Sequence, residues 1–292
     1  MRTELTKLRT ALRPLYGDRE TEAIIRIIFH HLKGWNLTDM LIHEPEPLSP
    51  FIKSEIDRIL QRLLNHEPIQ YITGEARFHG LELHVTPDVL IPRPETAELV
   101  DIIADDAADR PDLHVLDIAT GSGCIAIALA RTLRFPIVTA LDISEAALKV
   151  ASENVANLKV AVNLIHADIF SWPSLSPADG SNKTLPEKES LDIIVSNPPY
   201  IDESEKASMD ANVLDYEPHS ALFVPDADPL RFYIRIAYVA GQLLKPDGRL
   251  YFEINPRHAD DLKKMLQKSG FTQVDIIRDS YGKERFIRAS RQ

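Results

Sequence analysis

The chain has 292 residues, enough for one large domain or for two unequal ones. Its formal net charge is −11, which argues weakly against binding of bare nucleic acid through a basic surface. The single cysteine, Cys124, excludes a disulfide bond within the chain and fits a reducing compartment. No apolar run resembles a signal peptide or approaches the roughly 20 residues that span a bilayer, so we expect a cytoplasmic protein without membrane contact.

Residues 1–75 are predicted to form a small helical domain. Apolar side chains between Ala23 and Leu32 recur at helical spacing. A second helix is predicted to begin at Ser49-Pro50, because serine caps a first turn and proline is tolerated at the first helical position.

Residues 76–95 are predicted to link this domain to the rest of the chain. The segment from Ala76 to Val85, with Gly80 near its middle, has the pattern of a β-hairpin. Pro92 and Pro94 then form a stiff joint, since proline restricts the backbone.

Residues 96–292 alternate between strand and helix patterns, which is typical of a doubly wound α/β sheet. Helices are expected at Ser144–Leu158 and at Pro229–Leu244, the second stopped by Pro246 and Gly248. The predicted strands are His114–Ile118, Ile137–Ile143, Asn163–Ala167, Leu191–Ser196 and Arg249–Ile254.

Two further segments complete the sequence pattern. Thr272–Arg278 and Arg285–Ala289 are expected to form an antiparallel hairpin at the edge of the sheet. Ser171–Ser190 is rich in proline and polar residues and is predicted to be an exposed loop without chemistry.

The most informative motif is Asn197-Pro198-Pro199-Tyr200, which follows a predicted buried strand. Proline cannot continue a sheet ladder, and Pro199 also restricts Pro198, so the Pro198 carbonyl has a defined direction. The side-chain oxygen of Asn197 is a second, neutral acceptor. Two acceptors at one strand end suit the two hydrogens of a planar –NH2 group. Considered alone, the same segment is also compatible with a surface turn.

A second motif, Ala119-Thr120-Gly121-Ser122-Gly123, follows the first predicted strand and opens a helix. Its glycines allow a ligand to approach the backbone closely. Asp142 ends the next strand, where a carboxylate can accept both hydroxyls of a ribose. The spacing predicts a ribose-bearing cofactor. Because the stretch also satisfies Gly-x-Gly-x-x-Ala, a nicotinamide dinucleotide is one alternative.

Two further carboxylates bear on the choice of cofactor. Asp117, beside the glycine loop, would repel a pyrophosphate but suits a cofactor with positive charge. S-adenosylmethionine carries an ammonium and a sulfonium and no phosphate. Asp168 can accept from an adenine amine, with Ile169 or Phe170 packing on the ring; the alternative for Asp168 is a helix cap or a solvated acid.

Other reactive side chains give weaker signals. The histidines, including His30-His31, show no metal-ligand spacing, and we predict no metal. Cys124 lies at a helix start but is interpreted as a small packing residue.

Four blocks of the sequence match a known family: Pro68–Gly74, Ile91–Thr96, Leu116–Gly123 and Ile194–Ile201. In these blocks the chain resembles the HemK/PrmC family, the protein-(glutamine-N5) methyltransferases that modify peptide chain release factors. The Asn-Pro-Pro-Tyr block, Ile194–Ile201, is shared with adenine-N6 and other amino-methylating enzymes, whereas Pro68–Gly74 and Ile91–Thr96 are specific to the family.

The resemblance implies a Rossmann-like S-adenosylmethionine-dependent methyltransferase domain, a helical N-terminal domain that recognises the substrate, and a hairpin linker. The substrate, a glutamine in the Gly-Gly-Gln loop of a release factor, is expected to be held by Asn197 through Tyr200. The Arg93–Thr96 loop is expected near the methionine end of the cofactor. Cofactor contacts are implied at Ala119–Gly123, Asp142, Asp168, Ile169 and Asn197.

An amide nitrogen is a poor nucleophile because its lone pair is delocalised into the carbonyl. We expect Asn197 and Pro198 to accept its two hydrogens, orient it and stabilise positive charge that develops on it. Tyr200 is expected to line the substrate pocket. No general base is assigned.

The sequence departs from the family pattern at three places: Ala119, where glycine is common; residues 224–229, where a glycine-containing segment is usual; and Asn255, where glycine is usual. We expect these changes to affect the fit of the cofactor rather than activity. Three other functions remain open at this point: an adenine-N6 nucleic-acid methyltransferase, a nicotinamide-dependent oxidoreductase, and a non-catalytic module that binds a release factor or the ribosome.

Overall fold

The computed structural model describes residues 1–172 and 186–292. Most of the predicted loop Ser171–Ser190 lies outside these residues. The helices are α1 (Arg2–Lys33), α2 (Leu37–His43), α3 (Pro50–Leu64), α4 (Ile69–Thr73), α5 (Pro94–Asp106), α6 (Cys124–Thr132), α7 (Glu145–Leu158), α8 (Ala211–Tyr216), α9 (Arg231–Leu243) and α10 (Ala259–Lys268). The strands are β1 (Glu75–Phe78), β2 (Leu81–His84), β3 (His114–Ile118), β4 (Ile137–Asp142), β5 (Val162–His166), β6 (Leu191–Ser196), β7 (Ile201–Asp202), β8 (Phe223–Val224), β9 (Leu244–Glu253), β10 (Phe271–Arg278) and β11 (Glu284–Arg291).

The first structural unit comprises residues 1–75 and, from much later in the chain, Asp210–Tyr216. Its helices α1 and α3 pack together around buried leucine, isoleucine and phenylalanine side chains. The α1 helix is interrupted at Gly17, which has a φ of 69°. The predicted cap of α3 is confirmed, because Ser49 Oγ accepts from the Ile52 N–H at 3.3 Å. Within this unit the Tyr216 hydroxyl of α8 donates to the Asn65 carbonyl at 2.8 Å.

The second unit, residues 76–209 and 217–292, contains a seven-stranded sheet in the order β10-β11-β9-β6-β3-β4-β5. Strands β9, β6, β3, β4 and β5 are parallel to one another, and β11 and β10 extend the sheet antiparallel. The predicted α/β class is therefore confirmed, as are the hairpin of β1 with β2 and the terminal hairpin at the sheet edge.

The boundaries of two predicted elements differ from the structure near residue 244. Helix α9 ends at Leu243, and β9 begins at the next residue, five residues earlier than the predicted Arg249. Pro246 and Gly248 therefore lie inside β9, where the pairing with β6 is irregular between Leu191 and Ile193. Proline is tolerated in a strand at such an irregularity, since one ladder hydrogen bond is already lost there.

The order of the strands reverses beside β3, because the chain moves to β4 and β5 on one side and to β6 and β9 on the other. In an open α/β sheet, ligands bind at such a switch point, outside the carboxyl ends of the strands. Ile118 at the end of β3 pairs with Ser196 at the end of β6. The loop Ala119–Gly123 (the glycine loop) and the segment Asn197–Tyr200 (the Asn197 corner) therefore leave the sheet side by side.

Candidate active site

The switch point opens into a cavity of about 540 Å³. It is bounded by the segments that follow β3, β4, β5 and β6, so it lies within the second unit. Three of the predicted site residues, Asp117, Gly123 and Tyr200, do not contribute to its lining. The predicted residues that do line it are Ala119, Thr120, Gly121, Ser122, Asp142, Asp168, Ile169, Asn197, Pro198 and Pro199.

Asp142 connects the glycine loop to the end of β4. Its Oδ2 accepts from the Gly121 N–H and its Oδ1 from the Ser144 N–H, both at 2.9 Å. Burial raises the pKa of Asp142, and these backbone hydrogen bonds oppose the increase. The carboxylate is thus held in a fixed orientation at the cavity wall, as recognition of a ribose requires.

Asp117 supports the glycine loop from beneath. It is fully buried, and its Oδ2 accepts from the Thr120 hydroxyl at 2.6 Å and from the Ala126 N–H at 3.2 Å. Burial raises the pKa of Asp117 to about 7, although both hydrogen bonds act in the opposite direction. Among the residues that the structure describes, no donor reaches Asp117 Oδ1. Asp117 therefore carries an unused buried acceptor next to the loop.

The backbone of the loop repeatedly enters the left-handed region, with φ values of 60° at Ala119, 56° at Gly121 and 81° at Gly123. A Cβ on Gly123 would lie 3.2 Å from Ile127 Cδ1 and 3.3 Å from Ala151 Cβ, so this glycine permits close packing of the loop. A Cβ on Gly121 would meet nothing within 4 Å. Gly121 therefore leaves open space on the cavity side, where a ligand can approach the backbone.

Asp168 serves as a cap as well as lining the cavity. Its Oδ1 accepts from the Phe170 N–H at 2.9 Å and begins the short 3-10 turn Ile169–Ser171. Arg235 holds the same turn, since its Nε donates to the Ile169 carbonyl at 2.9 Å. Both sequence-based interpretations of Asp168, as a cap and as a cavity residue, are compatible with this geometry.

The Asn197 corner is connected to a buried carboxylate on β9. Asn197 Nδ2 donates to Thr96 Oγ1 at 3.4 Å, and the Thr96 hydroxyl donates to Glu253 Oε2 at 2.6 Å. The Tyr200 hydroxyl donates to the other oxygen, Glu253 Oε1, at 3.0 Å. Tyr200 thus packs behind the corner, against the main core, while Pro198 and Pro199 face the cavity.

A buried ion pair near the cavity was not predicted from the sequence. Glu217, whose side chain is 1% exposed, binds the Arg93 guanidinium and also accepts from the Ile91 N–H at 3.2 Å. Pro218 and Arg93 both line the cavity, so this pair fixes two of its wall segments together. Nothing in the local sequence pattern pairs Glu217 with Arg93, which lies 124 positions away.

Cys124 and metal binding were the other chemical possibilities considered from the sequence. Burial raises the pKa of the Cys124 thiol to about 12, which keeps it protonated near neutral pH. In residues 1–172 and 186–292, no group of three or more histidine, cysteine or acidic side chains is arranged to hold a metal ion. Within the same residues, no helix is both long enough and apolar enough to cross a membrane.

These features fit S-adenosylmethionine. An oriented carboxylate at the end of β4 and open backbone at Gly121 suit a ligand that carries a ribose. Together with the sheet order and the cavity at the switch point, they define a Rossmann-like S-adenosylmethionine-dependent methyltransferase.

Comparison with known proteins places the chain in a particular family. Residues 5–74 match the PrmC N-terminal domain, and residues 109–284 match a methyltransferase domain. The release factor glutamine methyltransferase of Bacteroides thetaiotaomicron is 46% identical over 97% of this chain and 98% of its own length. The enzyme of the same name from Flavobacterium psychrophilum is 38% identical over 98% of this chain and 97% of its own length. The chain therefore belongs to the release factor glutamine methyltransferases, the HemK/PrmC family, as the sequence resemblance predicted.

A solved structure supports the fold independently. The catalytic domain of hMettl16, determined in complex with an RNA hairpin from the MAT2A 3'UTR, has a TM-score of 0.54 and 18% sequence identity. The match covers 73% of this chain and 76% of that one. At this identity the similarity concerns the methyltransferase fold alone.

Proposed function

We propose that this protein transfers a methyl group from S-adenosylmethionine to the side-chain amide nitrogen of the glutamine in the Gly-Gly-Gln motif of peptide chain release factors. The observation that carries the proposal is the position of the Asn197 corner. Asn197, Pro198 and Pro199 line the same cavity as the glycine loop, so two acceptors for an –NH2 group lie beside the cofactor residues. The release factor glutamine methyltransferases, to which the chain is similar over nearly its whole length, are named for this substrate.

The chain provides specific residues for each end of the cofactor. We assign Asp142 to the ribose hydroxyls, and Asp168 with Ile169 and Phe170 to the adenine. The Ala119–Gly123 loop, with Asp117 beneath it, is assigned to the cationic methionine end. When bound, S-adenosylmethionine supplies an electrophilic methyl group.

The catalytic contribution of the protein is mainly orientation and electrostatic stabilisation. Asn197 Oδ1 and the Pro198 carbonyl each accept one hydrogen of the substrate amide, which directs the nitrogen lone pair into the cavity. The same two oxygens stabilise the positive charge that develops on nitrogen. Both acceptors are uncharged, so neither binds a counter-ion that the substrate would have to displace. Tyr200 supports the corner through its hydrogen bond to Glu253.

The two structural units are assigned different tasks. We propose that residues 1–75 recognise the body of the release factor, that residues 76–95 act as the linker, and that residues 96–292 carry the chemistry. Since the proposed substrate acts in translation, the proposal also locates the enzyme in the cytoplasm.

The direct test is methylation of a purified release factor with isotope-labelled S-adenosylmethionine, followed by mass spectrometry of the Gly-Gly-Gln peptide. We expect one added methyl group on the glutamine side chain. A matched release factor in which that glutamine is replaced by glutamate should remain unlabelled. Label in DNA or RNA but not in the release factor would contradict the proposal and favour an adenine-N6 methyltransferase.

The role of the corner is tested with Asn197→Ala. We expect the methylation rate to fall by about 100-fold or more, as for removal of a hydrogen-bonding group that acts in the transition state. The affinity for S-adenosylmethionine should fall only modestly, because the principal cofactor residues are elsewhere in the cavity. Near-normal turnover by this variant would contradict the assignment of Asn197.

A further inference from the structure

The side-chain amide of Asn197 can lie in its plane in two orientations, and only one is useful for the proposed reaction. With Oδ1 toward the substrate, the amide accepts a hydrogen from the glutamine nitrogen. With Nδ2 toward the substrate, two donors face each other and the contact is repulsive. Something must therefore select between the two orientations.

The neighbouring hydrogen bonds provide that selection. The carboxylate of Glu253 has only acceptors, and its Oε2 takes the single hydroxyl proton of Thr96 at 2.6 Å. Thr96 Oγ1 is then left only as an acceptor toward Asn197, from which it lies 3.4 Å. The group that can satisfy this acceptor is the –NH2 end of the Asn197 side chain. Oδ1 consequently points away from Thr96.

The carboxylate at the base of this chain of hydrogen bonds meets a hydroxyl group at each of its oxygens. Glu253 is 1% exposed, and burial raises its pKa, while hydrogen bonds from Thr96 and Tyr200 and the charge of Arg285 oppose the increase. Two hydroxyl donors occupy its two oxygens, so each donor has a fixed direction.

We propose that Thr96 and Glu253 are positioning residues that fix the Asn197 amide with its oxygen toward the substrate nitrogen. This inference rests on the proposed function, because it presumes that Asn197 accepts from a substrate amide. It assigns a purpose to Thr96, which closes the Ile91–Thr96 block in the sequence and sits 101 positions from Asn197. It also explains why a carboxylate is buried on β9 at the back of the site.

The test compares two substitutions of one side chain. Thr96→Val keeps the shape of the side chain but removes the acceptor, and we expect kcat to fall about 10- to 100-fold, the scale of one lost hydrogen bond in the transition state. Thr96→Ser keeps the hydroxyl and should retain kcat within about two-fold of the wild type. Thr96→Val also leaves Glu253 Oε2 without its donor, so its unfolding midpoint should lie below that of Thr96→Ser, and kcat is compared at a temperature at which both variants are folded. If Thr96→Val does not fold, Thr96→Ala removes the same acceptor without introducing a new methyl contact.

A double-mutant cycle separates positioning from a general structural role. In an Asn197→Ala background there is no amide to orient, so Thr96→Val should lower the remaining rate by no more than about two-fold. An equal loss in both backgrounds would overturn the proposal. Wild-type kcat in Thr96→Val, or failure of Thr96→Ser to retain it, would overturn it as well.

A spectroscopic measurement keeps this result distinct from the proposed function. The Asn197 side-chain amide is assigned in the ¹⁵N NMR spectrum as the signal that disappears in Asn197→Ala. We expect one of its protons to exchange slowly in the wild type and in Thr96→Ser, and rapidly in Thr96→Val. This pattern in a protein that fails to methylate a release factor would refute the proposed function alone. Equal exchange in all three proteins, with normal methylation, would refute the positioning role alone.

Discussion

Asp117 provides the sharpest prediction about the stability of the catalytic unit. Its carboxyl is fully buried, and burial raises its pKa from 3.8 to about 7. Because the folded state then binds the proton more tightly than the unfolded state, Asp117 favours folding at low pH. This stabilisation is complete below about pH 3.8 and is lost as the pH rises to about 7. Asp117→Asn removes the titrating group and should abolish this pH dependence.

The magnitude follows from the two pKa values. The increase of about 3 units corresponds to about 4 kcal/mol in total, at about 1.36 kcal/mol for each unit. Integrating the linkage relation, the penalty is about 2 kcal/mol at pH 5 and about 4 kcal/mol at pH 8. The asparagine variant should therefore gain roughly 2–3 kcal/mol relative to the wild type between these pH values. Any cost of an unsatisfied –NH2 group in the variant is independent of pH and cancels from this difference.

The assay is urea unfolding at pH 5 and pH 8, monitored by tryptophan fluorescence. A Trp35→Phe background leaves Trp172, in the second unit, as the remaining tryptophan, so the signal reports that unit. Asp192→Asn is the matched control. Burial acts to raise the pKa of Asp192, but hydrogen bonds from Lys245 and the His114 N–H have a larger combined effect in the opposite direction. The net pKa of Asp192 is therefore below 3.8.

A lowered pKa contributes stability that is lost only as the pH falls through that value, so Asp192→Asn should show a constant difference from the wild type between pH 5 and pH 8. The reasoning about Asp117 is refuted if its variant also differs from the wild type by a constant amount, or if the difference shrinks as the pH rises.

Four further substitutions test the Ala119–Gly123 loop and Asp142, which holds it. Ala119→Gly should raise the free energy of unfolding by about 0.5–1 kcal/mol, since Ala119 has a φ of 60° and glycine removes the strain; an unchanged urea midpoint would argue against strain there. Gly123→Ala should lower the free energy of unfolding by about 1–3 kcal/mol, because the new Cβ would crowd Ile127 and Ala151. Gly121→Ala, with open space around the new Cβ, should lower it by only about 1 kcal/mol. Equal urea midpoints for the two variants would contradict the packing argument. Asp142→Ala should weaken S-adenosylmethionine binding by at least about 10-fold in calorimetry, because the carboxylate holds Gly121 and is proposed to bind the ribose hydroxyls. Unchanged affinity would remove Asp142 from the proposed site.

The departures from the family pattern now have structural explanations in two of the three cases. Ala119 adopts a conformation that glycine would adopt without strain. Asn255 donates from its Nδ2 to the Tyr200 carbonyl at 3.2 Å and to Glu205 at 2.7 Å, so it fastens the strand end that follows the corner. For residues 224–229, Pro225 lines the cavity, and nothing else in the structure explains the segment.

The sequence by itself determined which two segments follow buried strands that lie side by side in the sheet. Asn197-Pro198-Pro199 follows one of these strands and the Ala119–Gly123 loop follows the other, and both segments line one cavity. Parallel strands end at the same edge of a sheet, so local patterns far apart in the chain could be expected to meet. Strand and helix periodicity depends on near neighbours, which is why these elements and the α/β class could be predicted.

Only the tertiary structure decided which side chains support the site. Glu253 accepts a hydrogen bond from the Thr96 hydroxyl across 157 positions, and Arg93 pairs with Glu217 across 124, with no local signal to pair them. The position of Asp117 also depended on the tertiary structure: the sequence predicted it at the cofactor, whereas it lies beneath the loop, bonded to Thr120 and outside the cavity lining. Such contacts depend on strand register and on how side chains fill the core between elements. These are properties of the packed chain, and a pattern of neighbouring residues does not contain them.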